Sequence, residues 1–175
     1  MQMTELHRLS REAFVAQIGH VFEHSPWVAD SAYEQAGPFH TSEEVYKQLL
    51  TAMHEGTEDQ KLSLLRAHPD LGGRIQMTDA SVAEQKGAGL NQLSEKEYET
   101  LKRLNTHYTE RFGFPFILAV KGKTKEDIIS NIESRIENSR EEEFETALNE
   151  VGKIAVFRLN DLLGGEHEKE ELNHV

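Results

Sequence analysis

The chain has 175 residues, a formal net charge of -12 and no cysteine. That length suits one domain, able to bury roughly 70% of its unfolded surface. The missing cysteines exclude disulfides and thiolate chemistry, and the acidity argues against nucleic acid, whose phosphates want a basic face. Part of the acid is local: 140–145 and 164–175 each net -3, and both read as solvated, the second as an acidic tail or interdomain linker after a domain over 1–163. No basic stretch followed by an apolar run marks a signal peptide, and the longest apolar run, around Phe114 to Val120, is too short to span a bilayer. A cytoplasmic protein without membrane contact is expected.

In chain order, the sequence predicts helices over 10–24, 26–35, 42–55, 58–67, 80–87, 95–112, 125–138 and 141–163. Ser25 followed by Pro26 reads as an N-cap with proline at the first helical position. Capping boxes recur at Thr41/Glu44, Thr57/Gln60, Ser94/Glu97 and Ser139/Glu142. Apolar stripes follow them: Val45, Leu49 and Ala52; Leu62 and Leu65; Tyr98, Leu101, Leu104 and Tyr108. Strand alternation is almost absent. "FGFPFILAVKG" at 112–122 is the exception, because Pro115 breaks any helix there; it reads as a short buried strand or an extended segment near 114–120. The expected fold is all-α, with about eight helices.

Four groups of residues carry candidate chemistry. In "RAHPDLGGR", His68 stands where the proline behind it stops the helix. It is either a plain C-cap before a tight turn or a general acid whose cationic form the helix dipole favours. Ser81, Glu84 and Gln85 in "SVAEQ" share one helical face, as a capping box or as a hydroxyl, carboxylate and amide reading a polar ligand. Arg158 falls on the apolar stripe of the last helix, with Phe144, Leu148, Val151, Ala155 and Leu162; it must snorkel, pair or meet a ligand. "HVFEH", with His20, Glu23 and His24, matches an inverted zinc-peptidase pattern if the helix runs through it. The alternative there is an amphipathic helix end with solvated histidines. "KGAGL" at 86–90 lacks the strand that would make it a nucleotide motif, and the remaining histidines suggest no partners.

Taken together, "SPWVAD", "AHPDLGG", "SVAEQ" with "AGL", "FGFPFILAVKG" and "EVGKIAVFRLNDLL" occur in an order that resembles the OHCU decarboxylase family. That family acts on 2-oxo-4-hydroxy-4-carboxy-5-ureidoimidazoline (OHCU) in urate degradation and forms S-allantoin. The resemblance covers the chain to about residue 163. It implies an all-helical, cofactor-independent homodimer that needs no metal. It puts the proton donor at His68 beside Pro69, which lines the pocket. Ser81, Val82, Ala83, Glu84 and Gln85 then bind the ureido and ring amide groups, and the backbone of Phe116, Ile117, Leu118, Ala119 and Val120 faces the substrate. His68, Glu84 and Arg158 form the catalytic set. Some relatives are fused to urate oxidase, so fusion to or cooperation with that enzyme is implied too. A zinc peptidase on His20, Glu23 and His24, or a helical interaction module docking a partner near 112–122, would be the competing functions.

Overall fold

The computed structural model describes residues 3–22, 24–68 and 94–163. These contain two short 3-10 helices, Met3–Arg8 and Gly19–Val21, and seven α-helices: α1 Arg11–Ile18, α2 Trp27–Ala36, α3 Ser42–Glu55, α4 Glu58–Ala67, α5 Glu95–Phe112, α6 Lys125–Ile136 and α7 Arg140–Leu163. No strand occurs among the described residues, so the all-α expectation holds. The helix expected over 80–87 lies outside them.

Local chemistry explains the boundaries. Ser94 and Glu97 close a reciprocal capping box at the start of α5, as do Thr124 and Asp127 at α6. The Thr57/Gln60 and Ser139/Glu142 boxes also form. Thr41 caps α3, but the Glu44 carboxylate accepts from the N–H of His40 instead of that of Thr41. Two expectations at the chain start need correction. The helix expected over 10–24 ends at Ile18 and tightens into the 3-10 turn at Gly19. Pro26, already helical, stands at the N-cap position of α2 where Ser25 had been expected.

Two compact units divide the chain: residues up to Leu64 with those from Gly152 onward, and Leu65–Val151. In the first, α2 packs on both α1 and α3. Phe14, Tyr33 and Phe39 form a ring cluster with centroids 5.1–6.2 Å apart, and the Tyr33 hydroxyl donates to the Leu9 carbonyl. Gly56 sits where any Cβ would come within 2.6 Å of the Trp27 ring, so glycine there lets the chain pass the indole. In the second, α5 packs on α6, and Tyr108, Phe112, Phe114, Phe116 and Phe144 form a continuous aromatic cluster. The stripe on α5 is shifted from the expected one. Tyr98 is 43% exposed, while Leu101, Leu104, Asn105, Tyr108 and Phe112 are buried. On α4, Leu64 joins Leu65 in the core and Leu62 is only half-buried.

Candidate active site

His68 follows the last residue of α4, where sequence reasoning put it. Its N–H bonds back to the Leu65 carbonyl in a tight final turn, and the residue is 9% exposed. The residue stands at the C-terminal, negative end of the α4 dipole. Two residues earlier, the Arg66 guanidinium Nε donates to the Gly113 carbonyl at 3.0 Å. Gly113 takes a left-handed conformation, φ 81°, and its N–H caps α5 by bonding Thr109. A Cβ at Gly113 would clash with nothing; the backbone angle is what asks for glycine. Arg66 thus ties the end of α4 to the start of the phenylalanine-rich segment.

That segment, 114–120, is buried at every position and forms no helix and no sheet. Its backbone must therefore find hydrogen bonds elsewhere. Arg135 Nη1 donates to the Ile117 carbonyl at 2.7 Å, and the Ala119 N–H donates to Glu150 Oε1 at 3.1 Å. Lys123 N–H returns to the Val120 carbonyl, and Gly122 at φ 80° completes the turn. Arg135 is itself held by Glu143, with Nη2 2.9 Å from the carboxylate and both side chains buried. Its guanidinium lies over the Phe116 ring, 4.6 Å from the centroid. Glu143 also accepts from the Tyr108 hydroxyl and from the Asn138 amide. Burial, and then the bond to the Glu143 carboxylate, push the Tyr108 pKa far above its ordinary value.

Arg135, Glu143 and Glu150 had escaped sequence reasoning. The acid run at 140–145 is not wholly solvated as expected, because Glu143 is completely buried. The sequence did hold a signal: Glu143, Ala147, Glu150 and Ile154 step along α7 by four, three and four residues, and all four are buried.

In the other unit, Arg158 lies half-buried on α7, and its Nη1 donates to the Val21 carbonyl at 3.3 Å. Its place on the apolar stripe is as expected; its backbone contact was not. His20 and His24 do not stack on successive turns of one α-helix. His20 sits in the 3-10 turn and His24 takes a left-handed φ of 49°. The zinc-peptidase pattern therefore lacks the regular helix that it needs, and Glu23 lies outside the described residues. Among the described residues no three His, Asp or Glu side chains are grouped for a metal. His7 and His40, for which no partner had been expected, stack with ring centroids 5.8 Å apart. Pro69, Ser81, Val82, Ala83, Glu84 and Gln85 lie outside the described residues. Among the described residues no helix is long and apolar enough to cross a membrane.

The buried histidine after α4 and the irregular Phe-x-Phe-Pro-Phe segment can now be set beside known proteins. The family model for OHCU decarboxylase matches residues 7–160. The chain belongs to the OHCU decarboxylase family. A 2-oxo-4-hydroxy-4-carboxy-5-ureidoimidazoline decarboxylase from Haloferax volcanii is 44% identical over 166 residues, covering 95% of this chain and 98% of that protein. The uric acid degradation bifunctional protein PucL of Bacillus subtilis is 41% identical over 161 residues, which are 92% of this chain and 32% of PucL. A crystal structure of OHCU decarboxylase in the presence of (S)-allantoin matches with a TM-score of 0.68 at 26% identity, covering 81% of this chain and 94% of that one. The OHCU decarboxylase match thus runs through both units, from His7 to Asn160.

Proposed function

We propose that this chain decarboxylates OHCU to S-allantoin in urate degradation, without a cofactor and with His68 as the proton donor. Family membership supports the reaction. The single observation that carries the residue assignment is a buried imidazole at the C-terminus of α4. Many decarboxylases borrow an electron sink from a cofactor. OHCU brings its own: the electron pair left by departing carbon dioxide moves into the neighbouring carbon–nitrogen double bond. The protein then has to orient the carboxylate, stabilise the developing charge and deliver a proton to one face of the ring.

In this reading His68 bonds the hydroxyl and carboxylate end and handles the proton. Pro69 stiffens the turn beside it. Ser81, Glu84 and Gln85 fix the ureido arm, with Val82 and Ala83 between them, and so set which face receives the proton. Arg158 neutralises developing oxygen charge. The backbone of 116–120 faces the substrate. We further propose, from the same resemblance, a cytoplasmic homodimer that takes its substrate from the urate-oxidising branch of the pathway. Residues 164–175 would then be a linker or tail.

The test is circular dichroism of product formed from urate by urate oxidase and hydroxyisourate hydrolase. Adding this protein should speed the appearance of optically active allantoin. His68→Gln should remove about 100- to 10,000-fold of the rate gain, the range for one acid–base group, together with the stereoselectivity. Slow racemic product unchanged by the protein would overturn the function, and wild-type turnover in the variant would overturn the role of His68.

A further inference from the structure

The two charged contacts to the 114–120 segment do more than satisfy its backbone. A trans peptide is planar, with its C=O and N–H pointing in opposite directions. The Ile117 carbonyl faces Arg135, so the N–H across that peptide, belonging to Leu118, points away from the guanidinium. The Ala119 N–H faces Glu150, so the carbonyl across that peptide, again belonging to Leu118, points away from the carboxylate. Both backbone groups of Leu118 are thereby turned from the side chains that grip its neighbours. Flipping either peptide would set a carbonyl against a buried carboxylate or an N–H against a buried guanidinium, which is repulsive in both cases. The Phe116 ring under Arg135 adds a hold one residue earlier.

We propose that Arg135 and Glu150 are positioning residues for the decarboxylase. They lock the peptides on either side of Leu118, so that its N–H and C=O present a fixed donor–acceptor pair to an amide edge of the substrate. This rests on the reading that 116–120 faces OHCU. Glu150 acts through Ala119 and Arg135 through Ile117; neither touches the substrate. Glu143 holds the Arg135 guanidinium in place.

The experiment is steady-state kinetics on freshly generated OHCU, with the optical purity of the allantoin and the melting temperature recorded for each variant. Glu150→Met keeps volume and apolar packing but offers no strong acceptor, so the buried Ala119 N–H loses its partner and some stability is lost with it. Its KM should rise by about tenfold, the factor carried by one well-placed hydrogen bond, and optical purity should fall in the protein that remains folded. Glu150→Gln, whose amide oxygen can still accept from Ala119, should return KM to within about threefold of wild type. A purely structural Glu150 would move the melting temperature and leave KM and optical purity unchanged; that result in Glu150→Met overturns the proposal. Should Glu150→Met fail to fold, Glu150→Asp withdraws the carboxylate by one methylene, and a wild-type KM there overturns it equally. Wild-type protein that forms no allantoin would sink the underlying reading and this inference with it. An active wild type with an indifferent Glu150 sinks this inference alone.

Discussion

Two arginine–carboxylate pairs, one in each compact unit, have similar geometry and opposite surroundings. Arg11 Nε lies 2.6 Å from the Asp30 carboxylate between α1 and α2, with side chains 43% and 48% exposed. Arg135 lies 2.9 Å from Glu143, with side chains 7% and 0% exposed. The first pair joins helices whose backbones are already satisfied, and its hydrogen bond does little beyond holding Asp30 below the usual carboxylate range. The second supports a stretch of chain with no secondary structure, and the same guanidinium serves the Ile117 carbonyl and the Phe116 ring. Burying charge is expensive, and it is sustained where many polar groups are satisfied together. An irregular segment in a helical core creates that need.

The comparison can be broken most decisively at Glu143. Glu143→Leu strands Arg135 in the core, and the expected loss is about 3–5 kcal/mol in urea unfolding. Arg135→Met with Glu143→Leu should recover part of it, though the Ile117 carbonyl then loses its donor. A Glu143→Leu protein as stable as wild type would erase the distinction between the pairs.

A smaller effect concerns pH. Folding raises the Tyr108 pKa, so its contribution is fully present below the unfolded value, about 10, and is lost as pH rises toward the folded one. Above about pH 10 the unfolded chain releases a proton that the fold retains, so stability should fall by up to about 1.4 kcal/mol per pH unit from this group. Thermal melts across that range should show a shallower decline for Tyr108→Phe. An identical slope in the variant would count against the buried Tyr108–Glu143 contact.

The smallest effect belongs to the surface pair. Arg11→Ala should leave the urea midpoint unchanged within error, at low and at high salt. A clear loss would show that exposure is not what separates the two regions.

The legible parts of the fold share a cause. Thr57, Ser94, Thr124 and Ser139 start helices through bonds made within three residues, so the sequence carries them whole. The place of His68 was legible for a similarly local reason: a residue before proline disfavours the helical region, and α4 ends at Ala67. The end of α1 was not. The chain tightens there into a 3-10 turn at Gly19, inside an apolar and polar pattern that would have allowed the helix to run on. Arg135 and Glu150 were illegible because their partners are backbone atoms 18 and 31 residues away. A charge on an apolar stripe was noticed at Arg158 and missed at Glu143, where neighbouring acids suggested solvent. Ser81, Glu84 and Gln85, read from their helical spacing and then from the resemblance, fall outside the described residues.

The spacing of Glu143 and Glu150 has a consequence for how α7 can vary. Seven residues make nearly two helical turns, so the carboxylates lie within about 20° of one azimuth and about 10 Å apart along the axis. The helix therefore works as a ruler, marking off where Arg135 is braced and where Ala119 is caught. Substitutions between the marks leave the gauge intact. One inserted residue would rotate Glu150 by about 100° and carry it off the segment. In this stretch of α7 the exposed residues Glu145 and Asn149 can drift in identity, but residue count cannot.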